Sequence, residues 1–358
     1  MKKKNKIKYV VNCRFASQKT TGVQRYALEC SRILKNILGN QVIFVAPKGY
    51  INPDIKRELD IQQFGILRGY FWEQISLPLF NIFNNSILFC FCGTPPVFLK
   101  NVIYTIHDLS FVRYPDFFNF YYQFFYKHLV KIAYKRFLGI ITVSTFTKNE
   151  LFDIYGIRKI FIVGNTVNHL HNIKKNTKLP SNLKNTDYYL TLGSIDPRKN
   201  IQQLIKVFLQ ENVNAKLVII GAKNSVFAEQ KYFDKLNSNK IIFTGYLPDH
   251  KLASYYKAAK CFIFPSIYEG FGIPPLEAIY YQTPVLLSNI PVHKEIYGSY
   301  AHYFSKNEIK NIQHNVKLAQ SKLISCKRNI AHPLLKKYNF ENQRQQLKKV
   351  VFDNKNKG

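Results

Sequence analysis

Residues 264–298, which read FPSIYEGFGIPPLEAIYYQTPVLLSNIPVHKEIYG, carry the densest signal in the sequence. The uncharged run Cys261–Phe264 predicts a buried strand, and Pro274 and Pro275 predict the start of a helix, where the missing proline N–H costs nothing. The intervening loop contains two glycines, Gly270 and Gly272. A strand, a glycine-containing loop and a helix N-terminus are typical of a parallel α/β sheet, and the positive end of the helix suits an anion such as a diphosphate.

The same alternation of short β-rich runs with helix-length segments covers the whole chain. In the first half the predicted strands are Lys8–Asn12, Val42–Ala46, Ile87–Phe91, Val102–Ile106, Ile140–Val143 and Ile160–Val163, with helices near 23–37, 117–137 and 145–155. In the second half they are Tyr188–Leu192, Lys216–Ile220, Ile241–Phe243, Cys261–Phe264 and Pro284–Leu287, with helices near 200–210, 249–258 and from 274. The pattern predicts an α/β fold with two Rossmann-like, doubly wound domains.

The length of 358 residues is comfortable for two domains. Segment 168–187 is polar, rich in Asn and Lys, and reads as an interdomain linker. We predict an N-terminal domain over 1–170, a linker over 171–187, a C-terminal domain over 188–335 and a C-terminal segment over 336–358.

The composition excludes a disordered chain, since 46% of the residues are hydrophobic. The formal net charge is +31, from 52 basic and 21 acidic side chains spread over both halves. Such a charge favours a polyanionic partner, which can be nucleic acid, an anionic membrane or a phosphorylated small molecule.

The cysteines and the N-terminus indicate a cytoplasmic protein. The six thiols lie mostly in apolar runs, without CxxC pairs or zinc spacing, and are interpreted as reduced core residues: Cys13, Cys30, Cys90, Cys92, Cys261 and Cys326. The apolar run after the basic start is too short for a signal peptide. Residues 74–99 carry no charge, but Asn and Pro interrupt them, so we predict no transmembrane helix there.

Two carboxylates, Glu269 and Glu277, bracket the glycine loop. Taken singly, Glu277 fits a first-turn capping residue and Glu269 a solvated loop residue. Together with the glycines and prolines they favour contacts to a ligand held at the helix start.

This segment resembles the signature of the retaining glycosyltransferases of family 4, also called group 1, which have the GT-B fold. Further stretches look like landmarks of that family: VNCRFASQKTTGVQRYALEC (11–30), WEQISLP (72–78), TIHDLSFVRYPDFF (105–118) and LTLGSIDPRKN (190–200). The resemblance implies two Rossmann-like domains facing a cleft, with the acceptor bound by the N-terminal domain. It also implies that ENQRQQLKKVVF (341–352) is a helix crossing back onto that domain.

The resemblance implies roles for the residues around the glutamate motif. Glu277 would bind the ribose hydroxyls of the donor nucleotide, and Glu269 would contact the donor sugar. The backbone around the loop would position the sugar and phosphate, through Gly270, Phe271, Gly272 and Ile273.

The loops after the other strands of the C-terminal domain complete the implied donor site. Arg198 and Lys199 would neutralise the diphosphate leaving group, although a solvated helix start is the plainer interpretation of both. Ser194 stands where many relatives carry an arginine, which leaves Arg198 as the second cation. Gly245 and Tyr246 are assigned to donor binding in the loop after strand Ile241–Phe243.

Two residues of the N-terminal domain are assigned by the same resemblance. His107 follows strand Val102–Ile106 and would contact the donor sugar near the reacting carbon, although a histidine in such a loop is often only a polar linker. Gly22 would let the acceptor or the donor phosphate approach the backbone closely.

The implied function is a retaining glycosyltransferase that moves a hexose from a nucleotide-diphosphate sugar to a saccharide or polyprenyl-linked saccharide, in synthesis of a surface polysaccharide such as O-antigen or capsule. No D-x-D occurs in the chain, so we expect no catalytic metal and no cofactor. Catalysis would come from charge stabilisation of the leaving group and alignment of both substrates.

Residues 117–137 are expected to dock on an anionic membrane, which would make the enzyme peripheral at the inner face of the cytoplasmic membrane. On a helical projection Lys127, Lys131 and Lys135 share a stripe with two aromatics, Phe120 and Phe124, which suits the headgroup boundary. The opposite side is predicted to face the core, with Phe118, Phe125, Leu129 and Ile132. The alternative is that both faces are buried and the lysines merely solvated.

Two rival functions stay open at this stage. A basic nucleic-acid binder is suggested by the charge, but the charge is dispersed and no zinc finger or basic helix of the usual kinds occurs, so we expect no nucleic-acid partner. A catalytically inactive nucleotide-sugar binder on the same fold is opposed by the presence of Glu269, Glu277, Lys199 and His107.

Overall fold

The computed structural model describes residues 8–171, 173, 178–194, 196–211, 213–221, 239–305, 308–327 and 333–355. The chain divides into two compact units. The first runs up to Thr166 and is completed by the residues from Tyr338 on, and the second is Val167–Lys337. The described residues of the segment predicted as a linker, 171–187, therefore belong to the second unit.

The first unit contains a seven-stranded parallel sheet in the order β3-β2-β1-β4-β5-β6-β7. Its strands are β1 Lys8–Asn12, β2 Val42–Ala46, β3 Gln62–Gln63, β4 Ser86–Cys90, β5 Val102–Ile106, β6 Gly139–Thr142 and β7 Ile160–Ile162. Its helices are Gly22–Leu38, Pro53–Leu59, Gly69–Phe71, a π turn Trp72–Ser76, Leu77–Asn84, Ser110–Arg113, Phe120–Arg136, Thr145–Tyr155 and Phe340–Lys355. Strands β4 and β5 are buried along their whole length, as their apolar sequences require of strands covered on both faces.

The second unit contains a six-stranded parallel sheet in the order β10-β9-β8-β11-β12-β13. Its strands are β8 Tyr188–Leu192, β9 Lys216–Ile220, β10 Ile241–Gly245, β11 Cys261–Phe264, β12 Val285–Ser288 and β13 His302–Phe304. Among its described residues the α-helices are Ile201–Gln210, Asp249–Ala258, Ile273–Tyr280, Pro291–Tyr297, Ile312–Lys327 and Pro333–Lys337. Both sheets have the strand order of the Rossmann fold, in which the order reverses beside the first strand.

The last helix, Phe340–Lys355, belongs to the first unit. Its apolar side chains Leu347, Val350 and Val351 are buried. The amide of Gln343 donates to the carbonyl of Gly164 at 2.7 Å, and the N–H of Gly164 donates to Gln346 at 3.0 Å. The return of this segment to the N-terminal domain is as predicted.

The helix Phe120–Arg136 differs from its predicted orientation. Leu129 and Val130 are buried, whereas Phe125 and Ile132 are 41% and 38% exposed. The prediction that Phe125 and Ile132 face the core is therefore wrong. Aromatic and apolar residues occur all round this helix, so the sequence pattern does not single out one buried face.

In the described part of the chain, no helix is both long and apolar enough to cross a bilayer. Of the uncharged stretch 74–99, residues up to 84 form part of the π turn and helix Leu77–Asn84, and β4 follows.

Candidate active site

The second sheet reverses its strand order between β8 and β11, which pair directly with each other. In open α/β sheets ligands bind outside the carboxyl ends of the strands at such a switch point, because the connections leave in opposite directions there. The loops that follow β8 and β11 meet at this point, and the N–H of Ile267 donates to the carbonyl of Arg198 at 2.9 Å. Most of the residues predicted for the donor site lie in these two loops.

The loop after β11 packs closely against its own strand. Gly272 has φ +83°, and a Cβ there would lie 3.3 Å from the Phe264 ring, so a side chain would be strained and crowded. The hydroxyl of Tyr297 donates to the carbonyl of Gly272. Phe271 is buried, Gly270 precedes it, and Ile273 opens the helix with its positive dipole end towards this loop.

Lys199 and Glu269 join the two loops through an ion pair of 2.6 Å. The Lys199 ammonium also lies 5.4 Å from the centre of the Phe264 ring. The Lys199 side chain is 25% exposed and that of Glu269 11% exposed. A partly accessible cation therefore stands at the switch point with a carboxylate beside it.

Arg198 forms an ion pair with a different carboxylate, that of Asp196. Its guanidinium binds Asp196 in a forked arrangement, with Nε at 3.2 Å from Oδ1 and a terminal nitrogen at 2.8 Å from Oδ2. Burial raises the pKa of Asp196, but the hydrogen bonds and charge of Arg198, with the charge of Lys199, outweigh burial and lower it. The structure thus brings Arg198 and Lys199 to the same loop, each paired with a carboxylate.

Glu277 is almost completely buried, and both of its oxygens are held. Oε1 lies 3.0 Å from Nε2 of His169, and Oε2 accepts a hydrogen bond of 2.8 Å from the hydroxyl of Tyr256. The His169 side chain is 6% exposed. Sequence reasoning missed both partners, because neither stands near Glu277 in the chain.

The loops after β8, β9 and β10 approach each other through glycines. A Cβ on Gly221 would lie 2.0 Å from the carbonyl oxygen of Gly193, so only glycine fits there. Ser194 is half-buried in the same loop as Gly193. Gly245 ends β10 with φ +69° and open space around its Cβ position, and Tyr246 beside it is 56% exposed.

A buried histidine lies behind the glutamate loop. His293 is fully buried, and its Nδ1 lies 2.9 Å from the carbonyl oxygen of Ser288. Burial lowers the pKa of His293 to about 4, against the opposing effects of the Ser288 hydrogen bond and the charge of Glu269. This imidazole is therefore neutral at neutral pH.

In the first unit, His107 follows β5 and is fixed by two contacts. Its Nε2 donates to the carbonyl of Phe91 at 2.8 Å, and its ring stands edge-on to Tyr26 at 5.0 Å between centroids. Burial lowers the pKa of His107. Gly22 is exposed and opens the helix Gly22–Leu38 after the capping residue Thr21.

Among the described residues, no group of three or more His, Cys, Asp or Glu side chains could hold a metal ion.

The model of the family "Glycosyl transferases group 1" matches residues 172–327. The chain is 29% identical over 269 residues to the O-antigen chain mannosyltransferase RfbU of Salmonella typhimurium, covering 74% of this chain and 73% of that protein. It is 31% identical over 162 residues to the serotype-specific mannosyltransferase WbdA of Escherichia coli, but this match covers only 19% of that longer protein.

Two solved structures are similar over nearly the whole chain. The crystal structure of Anabaena HepE in complex with UDP and glucose has a TM-score of 0.65 at 15% identity, covering 97% of this chain and 100% of that one. That of WaaG, a glycosyltransferase involved in lipopolysaccharide biosynthesis, has a TM-score of 0.62 at 16% identity, covering 95% of each chain. The predicted GT-B fold class is confirmed.

Proposed function

We propose that this chain is a group 1 glycosyl transferase. In this proposal it moves a hexose from a nucleotide-diphosphate sugar to a saccharide or lipid-linked saccharide in the synthesis of a surface polysaccharide. The observation that carries the proposal is the Lys199–Glu269 pair at the switch point of the second sheet, beside a helix start. The similarity to O-antigen mannosyltransferases supports the acceptor class and makes mannose the first sugar to test.

In the proposed donor complex the second unit binds the nucleotide sugar. A diphosphate carries more negative charge than one carboxylate and would compete with Glu269 for Lys199. Glu269 would then accept hydrogen bonds from hydroxyls of the donor sugar. Glu277, held by His169 and Tyr256, would accept hydrogen bonds from the ribose.

We propose that transfer retains the anomeric configuration, as the family resemblance implies. The bond between the anomeric carbon and the phosphate oxygen breaks, and the acceptor oxygen bonds to that carbon on the same face. The proton of the acceptor hydroxyl passes to the departing phosphate oxygen, and the nucleoside diphosphate leaves. Lys199 and the positive end of helix Ile273–Tyr280 would stabilise the charge that develops on the phosphate.

His107 would act as a neutral imidazole. Because Nε2 donates to the carbonyl of Phe91, Nδ1 carries the lone pair and can accept a hydrogen bond from a sugar hydroxyl. Gly22, without a side chain at the start of its helix, would leave room for a substrate beside the backbone.

We also propose that no metal takes part, because side chains and a helix start supply the positive charge. A chelator should leave the transfer rate unchanged. Loss of activity with EDTA, restored by Mg²⁺ or Mn²⁺, would contradict this proposal.

We propose that the acceptor is reached at an anionic membrane surface, with the enzyme peripheral at the inner face of the cytoplasmic membrane. Helix Phe120–Arg136 exposes 72% of Phe120 and 55% of Phe124. Of its lysines, Lys131 and Lys135 are exposed and Lys127 is half-buried. Aromatic rings can enter the headgroup boundary, and each ammonium near anionic lipid contributes about 1 kcal/mol.

A second apolar stripe supports the same surface. Five large side chains with helical spacing are exposed along residues 69–84: Phe71, Ile75, Leu79, Ile82 and Phe83. Tyr70, at the start of that segment, interacts with Tyr126 of helix Phe120–Arg136, so the two segments are neighbours. Flotation with liposomes tests the surface: binding should be stronger to anionic than to neutral vesicles, and replacement of all three lysines by glutamine should weaken it.

The function is tested by binding and then by transfer. UDP, GDP, ADP and dTDP are screened by thermal shift, since a ligand at 100 times its Kd adds about 2.7 kcal/mol to stability. The hexose conjugates of the best nucleotide are then offered with lipid-linked acceptors, and NMR identifies the anomer formed. Stabilisation by no nucleotide, together with strong salt-sensitive binding to random DNA, would refute the proposal.

A further inference from the structure

The first sheet has its own switch point, between β1 and β4, with the same strand order as in the second sheet. Asn12 ends β1 and Arg14 follows it, while Gly93 and Thr94 lie shortly after the end of β4. A buried carboxylate, Glu73, occupies this point. It is part of the WEQISLP landmark (72–78), which has no role in the site described above.

Glu73 makes three polar contacts with the ends of these two strands. Its carboxylate lies 2.9 Å from Nε of Arg14, accepts a hydrogen bond of 3.0 Å from the amide of Asn12, and accepts one of 3.2 Å from the N–H of Thr94. Gly93 has φ +79°, and a Cβ there would lie 2.2 Å from Oε1 of Glu73. The carboxylate therefore needs a glycine beside it.

The local backbone around Glu73 is unusual, since residues Trp72–Ser76 form a π turn between two α-helical stretches. Such turns occur frequently at functional sites. Glu73 is completely buried, and burial raises its pKa against the opposing charge of Arg14. A buried ion pair adds little net stability over apolar side chains of the same size, so its benefit lies in a fixed geometry.

The geometry that Glu73 fixes is that of Arg14. The Arg14 side chain is 16% exposed, and its guanidinium carbon lies 5.5 Å from the centre of the Tyr70 ring. A guanidinium held through Nε can present its terminal nitrogens as a planar fork, which matches two oxygens of a phosphate.

Arg14 lies at the same edge of the sheet as His107. The short segment after β4 connects them, because the carbonyl of Phe91 accepts the hydrogen bond from His107, and the N–H of Thr94 donates to Glu73. The carbonyl that anchors His107 and the N–H that binds Glu73 thus belong to residues three positions apart in the chain. An acceptor held near His107 is within reach of this edge.

We propose that Arg14 binds a phosphate of the lipid-linked acceptor and that Glu73 is the residue that positions it. This inference rests on the proposed function, and it deepens it by making the acceptor a phosphate-bearing lipid. A carboxylate on the acceptor sugar is the other source of such an oxyanion, and the experiment separates the two.

The single tryptophan of the chain, Trp72, is buried next to Glu73 and gives a local fluorescence signal. The protein is titrated in detergent with three lipids while the Trp72 fluorescence is measured. Farnesyl diphosphate carries a diphosphate, farnesyl glucoside carries no charge, and farnesyl glucuronide carries a carboxylate. The variants are Arg14→Gln, Arg14→Lys and Glu73→Gln. Arg32→Gln is the matched control, because Arg32 forms ion pairs with Glu29 and Glu58 in the same unit.

Arg14→Gln should weaken farnesyl diphosphate binding about ten- to hundredfold, the worth of hydrogen bonds to a charged group. Binding of farnesyl glucoside should not change. Arg14→Lys should bind farnesyl diphosphate more tightly than Arg14→Gln does, but less tightly than the wild type. Glu73→Gln should weaken the binding of farnesyl diphosphate and leave the binding of the other two lipids unchanged. Arg32→Gln should not affect the binding of any of them. The same differences should appear in a Lys199→Ala background, which removes the cation at the other switch point.

Several results would overturn the inference. It is rejected if the wild-type protein does not bind farnesyl diphosphate, if Arg14→Gln weakens the binding of the charged and neutral lipids equally, or if Arg14→Gln leaves the binding of farnesyl diphosphate unchanged. Weakening of the glucuronide alone would assign the site to a carboxylate and reject the phosphate. If Arg14→Gln does not fold, Arg14→Lys carries the comparison, since it keeps the charge and loses the fork. Absence of sugar transfer would refute the proposed function and leave these binding results intact.

Discussion

The two hydrogen bonds that hold Glu277 should govern the affinity for the donor nucleotide. Tyr256→Phe removes the 2.8 Å bond to Oε2 without changing the shape of the ring, and His169→Phe removes the 3.0 Å contact to Oε1. A hydrogen bond to a charged group is worth about 1.5–3 kcal/mol, or about ten- to hundredfold in affinity. Because the other contact remains, we expect about tenfold weaker donor binding for each single variant. The double variant should bind the donor nucleotide more weakly than either single variant.

The assay is the comparison of a ribonucleoside diphosphate with its 2′-deoxy analogue by calorimetry. In the wild type the deoxy compound should bind more weakly, because Glu277 then lacks a hydroxyl partner. In Tyr256→Phe this preference should shrink, while the KM for the acceptor stays constant. Tyr188→Phe is the matched control. It also removes a buried tyrosine hydroxyl, but that hydroxyl donates a hydrogen bond of 2.6 Å to the backbone carbonyl of Tyr255 and does not contact Glu277. A variant that loses stability but keeps the full ribose preference would refute this reasoning.

Three further changes test the rest of the site. Lys199→Ala should lower the transfer rate about a hundred- to thousandfold without unfolding the protein, whereas Lys206→Ala, on the next helix, should leave the rate unchanged. Gly272→Ala should lower the free energy of unfolding, measured by thermal denaturation, by about 1–2 kcal/mol, because residue 272 has φ +83°. Crowding by the Phe264 ring should lower it further. An unchanged melting temperature would contradict this geometry. The free energy of unfolding should decrease as pH falls from about 6.5 to about 4, because His293 stays neutral in the folded state and is protonated in the unfolded state. His293→Gln should reduce this dependence, and a wild-type stability that is flat over that range would be inconsistent with a buried neutral imidazole.

The strands could be predicted well because each is a short apolar run that ends at a polar, glycine or proline residue. β1, β2, β5, β8, β9 and β11 have the predicted ends. β3 (QQ) and β13 (HYF) were missed because neither contains a run of β-branched apolar residues, whereas the equally short β7 (IFI) does. Phe125 and Ile132 were assigned to the wrong face because apolar residues surround their helix.

In the site, the sequence reveals residue types at strand ends but not their partners. Lys199 and Glu269 could both be assigned to the predicted donor site from the sequence, but the bond between them joins residues 70 positions apart and could not be predicted. The contact between His169 and Glu277 spans 108 positions and leaves no local pattern. The pairing of Arg198 with Asp196, two positions away, fits an Asx turn at the start of a helix and could have been found from the sequence.

The position of helix Phe340–Lys355 in the first unit has a consequence for folding during translation. The first unit needs Leu347, Val350 and Val351 to cover its apolar side, and these residues are translated only after the whole second unit. While residues 167–337 are being made, the apolar surface of the first unit that this helix covers stays exposed, and transiently exposed apolar surface of this kind is prone to aggregation. The second unit, by contrast, is continuous in the chain and can complete its core as soon as its last strand and helices emerge. The half that is synthesised first is therefore the half that finishes folding last.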